Sequence, residues 1–311
     1  MNEYIYTANY SAEDRELAGM ELRAFFGKQA KGPIVKTDVD LELNRSPFMR
    51  EKISVILHAD TAEDLIRKAG EIDLGDQTFK VIFVKINDLS PEDKVDYAGR
   101  MEMERAIGWE IVGEADLKAP DRLFGVVAFG GRWYLGHYEK NQRVWEKHVK
   151  KPREYSTALS ARDARVIANI AVPKIEGFRA IDPCCGIGTV LVEALSMGIE
   201  IEGRDINPIV VDGSRENLAY FGLKGNVTLG GIEEASGQYD AAIIDMPYNL
   251  YTHASPEELQ SILTNARRIA DRLVVVSIDP IEEMIQQAGF VIQDEAIAKK
   301  GTFSRRILLC T

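Results

Sequence analysis

The chain has 311 residues, enough for two domains that each bury a core without disulfide or metal staples. Hydrophobic residues make up 45% and charged residues 28%, a balance that excludes a disordered chain. With 38 Lys plus Arg against 49 Asp plus Glu the net charge is −11, so uniform attraction to a polyanion is excluded and any nucleic acid must meet a local basic patch.

In chain order, the pattern predicts a strand over Tyr4 to Tyr10, a helix over Ala12 to Phe26, strands at Ile53 to His58 and Phe79 to Ile86, and a helix from Pro91 to Ile107. Phe124 to Phe129 and Trp133 to Tyr138 flank Gly130-Gly131 and read as a hairpin. Residues 1–150 therefore read as an α+β domain. Lys140, Arg143, Lys147, Lys150, Lys151 and Arg153 follow, opposed within the run by Glu146 alone, and make the one dense basic cluster and the candidate RNA-binding residues. From Phe178 onward strands alternate with helices, the mark of parallel βαβ units. Strands are predicted at Phe178 to Pro183, Ile199 to Ile206, Val227 to Gly230, Tyr239 to Met246, Arg272 to Ile278, Phe290 to Ala298 and Phe303 to Cys310. Helices fall at Thr189 to Met197, Pro208 to Phe221, Pro256 to Ala270 and Ile281 to Ala288, with a short turn near Glu233. Ser255-Pro256-Glu257-Glu258 is a capping box with proline in the first turn, and Ser160-Ala161-Arg162-Asp163 repeats the logic. No helix separates the last two strands, so Phe303 to Cys310 should run antiparallel in an otherwise parallel sheet. Residues 151–311 thus read as a seven-stranded Rossmann-like α/β domain.

Cys184, Cys185 and Cys310 offer no disulfide framework and no CxxC metal pair. His58, His137, His148 and His253 are scattered without metal spacing, so no metal is expected. No apolar run approaches a membrane span and Met1 to Tyr10 lacks the start of a signal peptide, so the expectation is a cytoplasmic protein with no membrane partner. Trp109, Trp133 and Trp145 read as core or hairpin packing.

Three segments carry chemistry. In Asp182-Pro183-Cys184-Cys185-Gly186-Ile187-Gly188-Thr189 a buried strand runs through a glycine turn into a helix, where backbone can approach a small molecule at the carboxyl edge of the sheet. Asp205, ending the next strand before Ile206, is placed to accept the two hydroxyls of a ribose. Asp245-Met246-Pro247-Tyr248 leaves a strand into the loop Asn249 to Ser255. There the Asp245 carboxylate and Met246 carbonyl can each accept one N–H of an exocyclic amine. Pro247 biases Met246 toward an extended conformation and Tyr248 can stack on a base.

These segments resemble the DPFCGTG and DPPY elements of S-adenosylmethionine-dependent amino-methyltransferases. The family to which the chain is most similar is the THUMP-containing tRNA guanosine N2-methyltransferases. Lys151 to Ser156 and Ala164 to Ala171 are similar to the segment preceding their catalytic domain, and residues 1–150 match their ferredoxin-like and THUMP modules in pattern. The resemblance implies S-adenosylmethionine held by Asp182, Pro183, Cys184, Gly186, Gly188, Thr189, Asp205, Ile206, Gly231 and Ile232. It implies methyl transfer to guanine N2 of tRNA through Asp245, Met246, Pro247 and Tyr248. Met246 stands in place of the first proline and adds an N–H, Gly231 stands where many such enzymes place an acid, and Tyr248-Asn249 replaces Tyr-Gly. A DNA adenine-N6 methyltransferase and a noncatalytic RNA-binding protein on the same fold remain the rival readings. A nucleophilic role for Cys184 or Cys185 is disfavoured, because an amine lone pair needs no covalent help.

Overall fold

This computed structural model describes residues 2–28, 30, 32–86, 94–155, 158–247, 254–300 and 303–311. Two compact units interleave in sequence: Met1–Asn9, Ala30–Asn44 and Phe48–Gln142 form the first, and Tyr10–Gln29, Arg45–Pro47 and Arg143–Thr311 the second. Against the single boundary expected between 150 and 151, Tyr10–Gln29 and Arg45–Pro47 group with the second unit.

The first unit is a seven-stranded sheet in the order β2-β1-β3-β7-β6-β4-β5. Its strands are β1 (Tyr4–Ala8), β2 (Ile34–Thr37), β3 (Met49–Ala59), β4 (Asp73–Phe83), β5 (Val112–Ala115), β6 (Arg122–Phe129) and β7 (Arg132–Lys140). Helices α2 (Ala62–Ala69) and α3 (Tyr97–Glu110) place Leu65, Ala69, Met103 and Ile107 against Phe79, Phe124, Val126 and Leu135 in one core. The β6–β7 hairpin closes through Gly130 and Gly131, both at positive φ, as its sequence requires. The start of the expected helix at Pro91 lies outside the described residues. Trp133 packs against this core and Trp145 of the second unit is buried, but Trp109, expected in packing, is 81% exposed at the end of α3.

The second unit carries the sheet β10-β9-β8-β11-β12-β14-β13. These strands are β8 (Arg179–Asp182), β9 (Glu200–Asp205), β10 (Asn226–Leu229), β11 (Tyr239–Asp245), β12 (Ala270–Ser277), β13 (Ile292–Lys300) and β14 (Phe303–Cys310). Pairings are parallel from β10 through β12, and β14 inserts antiparallel between β12 and β13, as the missing crossover helix dictates. The unit's helices are α1 (Arg15–Phe26), α4 (Ala161–Ala171), α5 (Thr189–Ser196), α6 (Pro208–Tyr220), α7 (Pro256–Ile269) and α8 (Glu282–Gln287). Ser160 caps α4 by accepting from Asp163 N–H, and Ser255 with Glu258 forms the capping box of α7. Ile181, Ile244, Leu263, Val275 and Leu308 fill the core between sheet and helices.

Helix α1 is held in this unit by buried polar groups. Glu21, fully buried, accepts from the Asn169 amide at 2.7 Å and from the Ser46 hydroxyl. Arg45 reaches Asn169 Oδ1 and the carbonyls of Val172 and Pro173. Arg165 and Glu193, also buried, form an ion pair at 2.7 Å that His148 Nδ1 joins at 2.8 Å. Burial pushes the Glu21 carboxyl up from 4.5 to about 7, against the opposing hydrogen bonds of Ser46 and Asn169 and the charges of Arg45 and Arg165.

The folded state therefore binds the Glu21 proton more tightly than the unfolded chain. Stability from this group is fully present below pH 4.5 and falls as pH rises to about 7. Glu21→Gln keeps the bond from the Asn169 amide on Oε1, and its Nε2 can donate to a reoriented Ser46 hydroxyl, without the titration. Denaturant melts across pH 4.5 to 8 should show that slope in the wild type and not in the variant, which should be more stable by up to about 3 kcal/mol at pH 8. Parallel pH curves would show that Glu21 is ionised without cost.

Candidate active site

Strand β8 ends at Asp182, and the chain turns through Cys184, Cys185, Gly186, Ile187 and Gly188 into α5. Gly186 has φ 52° and Gly188 φ 77°, the left-handed region that favours glycine. A Cβ on Gly188 would also collide with the Ser214 hydroxyl of α6, whereas one on Gly186 would meet nothing within 4 Å. The turn is thus packed beneath and open above. Cys185 N–H donates to Arg204 O at 2.8 Å and Gly186 N–H to Asp205 Oδ2 at 2.9 Å, which ties the turn to the end of β9. Gly203 inside β9 lets Leu191 and Cys185 pack against the strand, because a side chain there would displace both.

Asp205 accepts one backbone N–H on each oxygen, from Gly186 and, at 2.9 Å, from Asn207. Each carboxylate oxygen retains capacity for another donor. Ile206 beside it is 76% exposed and Ile209, the second residue of α6, 80% exposed. Asp182, Asp205 and Asp245 end β8, β9 and β11, consecutive neighbours at the point where strand order reverses. Asp182 is buried, and burial raises its carboxyl well above the usual range, with the charges of Asp245 and Asp205 adding to the effect. A cationic ligand would relieve that repulsion.

The extra N–H that Met246 brings in place of proline is used: it donates to Val276 O at 2.9 Å and extends the pairing of β11 with β12. The Met246 side chain is buried with Ile181 and Ile232, and Pro247 is exposed. Tyr248, Asn249 and His253 lie outside the described residues. Burial pushes both Cys184 and Cys185 thiols far up, with nearby Asp182 and Asp205 adding, so neither is a thiolate nucleophile. Gly231 has both backbone groups engaged, its N–H with Glu234 and its carbonyl with Arg204, and Ile232 turns its side chain into the core. A side chain at 231 would run into the Glu233 carboxylate, so Glu233, two positions further on, occupies the space a side chain at 231 would take.

Of the basic run, Lys140 ends β7 of the first unit and the others belong to the second. Arg143 pairs with Glu146 and stacks over Trp145, and Arg153 makes a two-pronged pair with Glu216 at 2.6 and 3.0 Å. Lys147 and Lys150 are exposed and Lys151 half-buried. Two of the six cations are therefore committed to carboxylates. Among the described residues there is no cluster of three or more metal-binding side chains, and no helix is long and apolar enough to cross a membrane.

Residues 149–277 match the family described as UPF0020: RMKL-like, methyltransferase domain. Over this segment the chain is thus similar to a methyltransferase domain, and its sheet order is that of a Rossmann-like α/β fold. The chain is 28% identical over 222 residues to a tRNA (guanine(10)-N2)-dimethyltransferase of Methanothermobacter thermautotrophicus, covering 68% of this chain and 64% of that one. It is 31% identical over 163 residues to the tRNA (guanine(10)-N2)-dimethyltransferase of Pyrococcus abyssi, covering 48% of each. The chain thus spans less than two thirds of the length of these relatives. TrmN from Thermus thermophilus superposes over 99% of both chains with 17% identity and a TM-score of 0.48.

Gly188→Ala forces a left-handed alanine against Ser214 and should lower stability by about 2 to 4 kcal/mol. In the Ser214→Gly background, which vacates the collision, the same substitution should cost about half as much. Thermal melts of the single and double variants check this, and equal losses in both backgrounds would show that the turn is not pressed on α6.

Proposed function

We propose that this domain uses S-adenosylmethionine to methylate an exocyclic base amine in structured RNA, namely guanine N2 of tRNA. The observation that carries the reading is the convergence of Asp182, Asp205 and Asp245 on adjacent strand ends around a turn open to a ligand. The names of the relatives support tRNA as substrate and guanine N2 as target.

The residues present suit this cofactor. Gly186 leaves room for close approach, Asp205 can accept ribose hydroxyls, Ile206 can cover an adenine ring, and the three acids suit a ligand bearing ammonium and sulfonium charge. Bound there, S-adenosylmethionine supplies an electrophilic methyl group. The chain's own work is positional. Asp245 and the Met246 carbonyl each accept one amine N–H, which turns the nitrogen lone pair away from the ring. Asp245 can then take the proton that the methylated amine must shed. Met246 holds its direction through the bond to Val276 and its buried side chain. A paired guanine has to leave its stack to reach these groups. The first unit, an α+β sheet, is proposed as the THUMP-like RNA-binding module, with Lys140 and the exposed lysines of the basic run meeting phosphates.

Labelled cofactor incubated with bulk tRNA lacking the modification should yield N2-methylated guanosine by nucleoside mass spectrometry; label in N6-methyladenosine, or none, would overturn the reading. Asp245→Ala should lower that rate at least a hundredfold while S-adenosylhomocysteine binding stays within about threefold. Equal loss of both would make Asp245 structural.

With Arg143 and Arg153 paired, about three lysines should carry the phosphate contacts, giving a slope of log affinity against log salt near −2 to −3. Removing Lys147 and Lys150 together should flatten the line by about 2, with Lys140 left to carry the remainder. A variant line superimposed on the wild type would send the search to the first unit.

A further inference from the structure

Helix α6 presents Gly213 and Asn217, one turn apart, to the cofactor turn. Asn217 is fully buried and uses its whole amide. Its Nδ2 donates to Ile187 O, in the middle of the turn, at 2.9 Å and to Arg153 O at 3.1 Å, and its Oδ1 accepts from Arg153 N–H at 2.9 Å. Gly213 leaves space that Arg153 and Ile187 share: a Cβ there would lie 3.5 Å from Arg153 Cγ and 3.7 Å from Ile187 Cγ2. Glu216 holds the Arg153 guanidinium from the same helix. The last residue of the basic run and the centre of the glycine turn, far apart in sequence, are thus fastened to one side chain.

We propose that Asn217 is a positioning residue that couples the basic run to the cofactor turn, so that ordering the turn around its ligand also orders the backbone at Arg153. The coupling rests on the cofactor reading given above. A buried amide with all its bonds made has no second arrangement of equal energy, so a shift of the Ile187 carbonyl must be followed by Arg153 or leave a buried group unpaired. Binding energy gained at the turn is in this way shared with the segment proposed to meet RNA, and by linkage the reverse holds.

Hydrogen–deuterium exchange on the wild-type protein tests this without a mutation. S-adenosylhomocysteine should slow exchange at the turn and, in the same titration, at the Arg153 amide. Protection confined to the turn would overturn the coupling. Asn217→Asp keeps the acceptor for Arg153 N–H but replaces the donor to both carbonyls by a carboxylate. It should raise the Kd for S-adenosylhomocysteine and the KM for S-adenosylmethionine at least tenfold, leave kcat within about threefold, and abolish the protection at Arg153. Unchanged Kd and retained Arg153 protection in a folded variant would also overturn it. A wild-type protein that binds no S-adenosylhomocysteine would instead overturn the cofactor reading on which the coupling stands.

Discussion

The bond from Gly186 N–H to Asp205 Oδ2 ties the turn after β8 to the end of β9, and the site depends on that closure. For it to form, Cys185 must lie against β9, which requires Gly203 to have no side chain, and the chain must then reverse into α5 through a left-handed Gly188 above Ser214. The carboxylate that accepts the bond is the one proposed to receive a ribose, so on that proposal the interaction that shapes the turn would also orient the ligand-binding group. Asp182 and Asp245 are set by neighbouring strands of the same sheet, which is why three acids stand together despite their repulsion.

Beneath the turn, α5 is held by groups of low solvent access. Glu193 on α5 meets Arg165 of α4 and His148, while Asn169 of α4 meets Glu21 of α1 and Arg45. A desolvated ion pair adds little net stability, but losing one partner leaves a buried charge, so such a network selects one arrangement of helices over near alternatives. Because α5 begins at the turn, fixing α5 fixes the direction of the glycine backbone. Burial of the carboxyls of Glu21 and Asp182 raises free energy in the free protein: Glu21 joins helices of the second unit, and Asp182 would be relieved by the cationic ligand proposed for the strand ends.

Much of the second unit was legible because its signals are local. Alternation of apolar strands with capped helices located β8 to β14 to within a few residues, and the missing crossover helix before β14 implied its antiparallel insertion. That Asp182, Asp205 and Asp245 end neighbouring strands was legible because each closes an apolar run of strand length. In the first unit, β2 is a four-residue edge strand with too little pattern to detect, and the eight-residue α2 carries one legible signal, Thr61, which caps it by accepting from Asp64 N–H. Trp109 follows helical spacing on α3 yet faces outward, since periodicity cannot say which face of a helix meets a core. Arg143 and Arg153 read as free cations because their acids, Glu146 and Glu216, are recognisable as partners only in three dimensions. Asn217 and Glu233 have no motif of their own. Their roles arise from what the fold brings to them: a turn and a distant backbone in one case, an empty position at Gly231 in the other.

The central claim is that the ends of β8, β9 and β11 form one site for the cofactor and the reacting amine. A crystal structure of the protein with S-adenosylhomocysteine tests it most directly. The account predicts ribose hydroxyls on Asp205, homocysteine over Gly186, and the sulfur facing the end of β11 at Asp245. A ligand bound elsewhere, or one whose sulfur points away from Asp245, would contradict it.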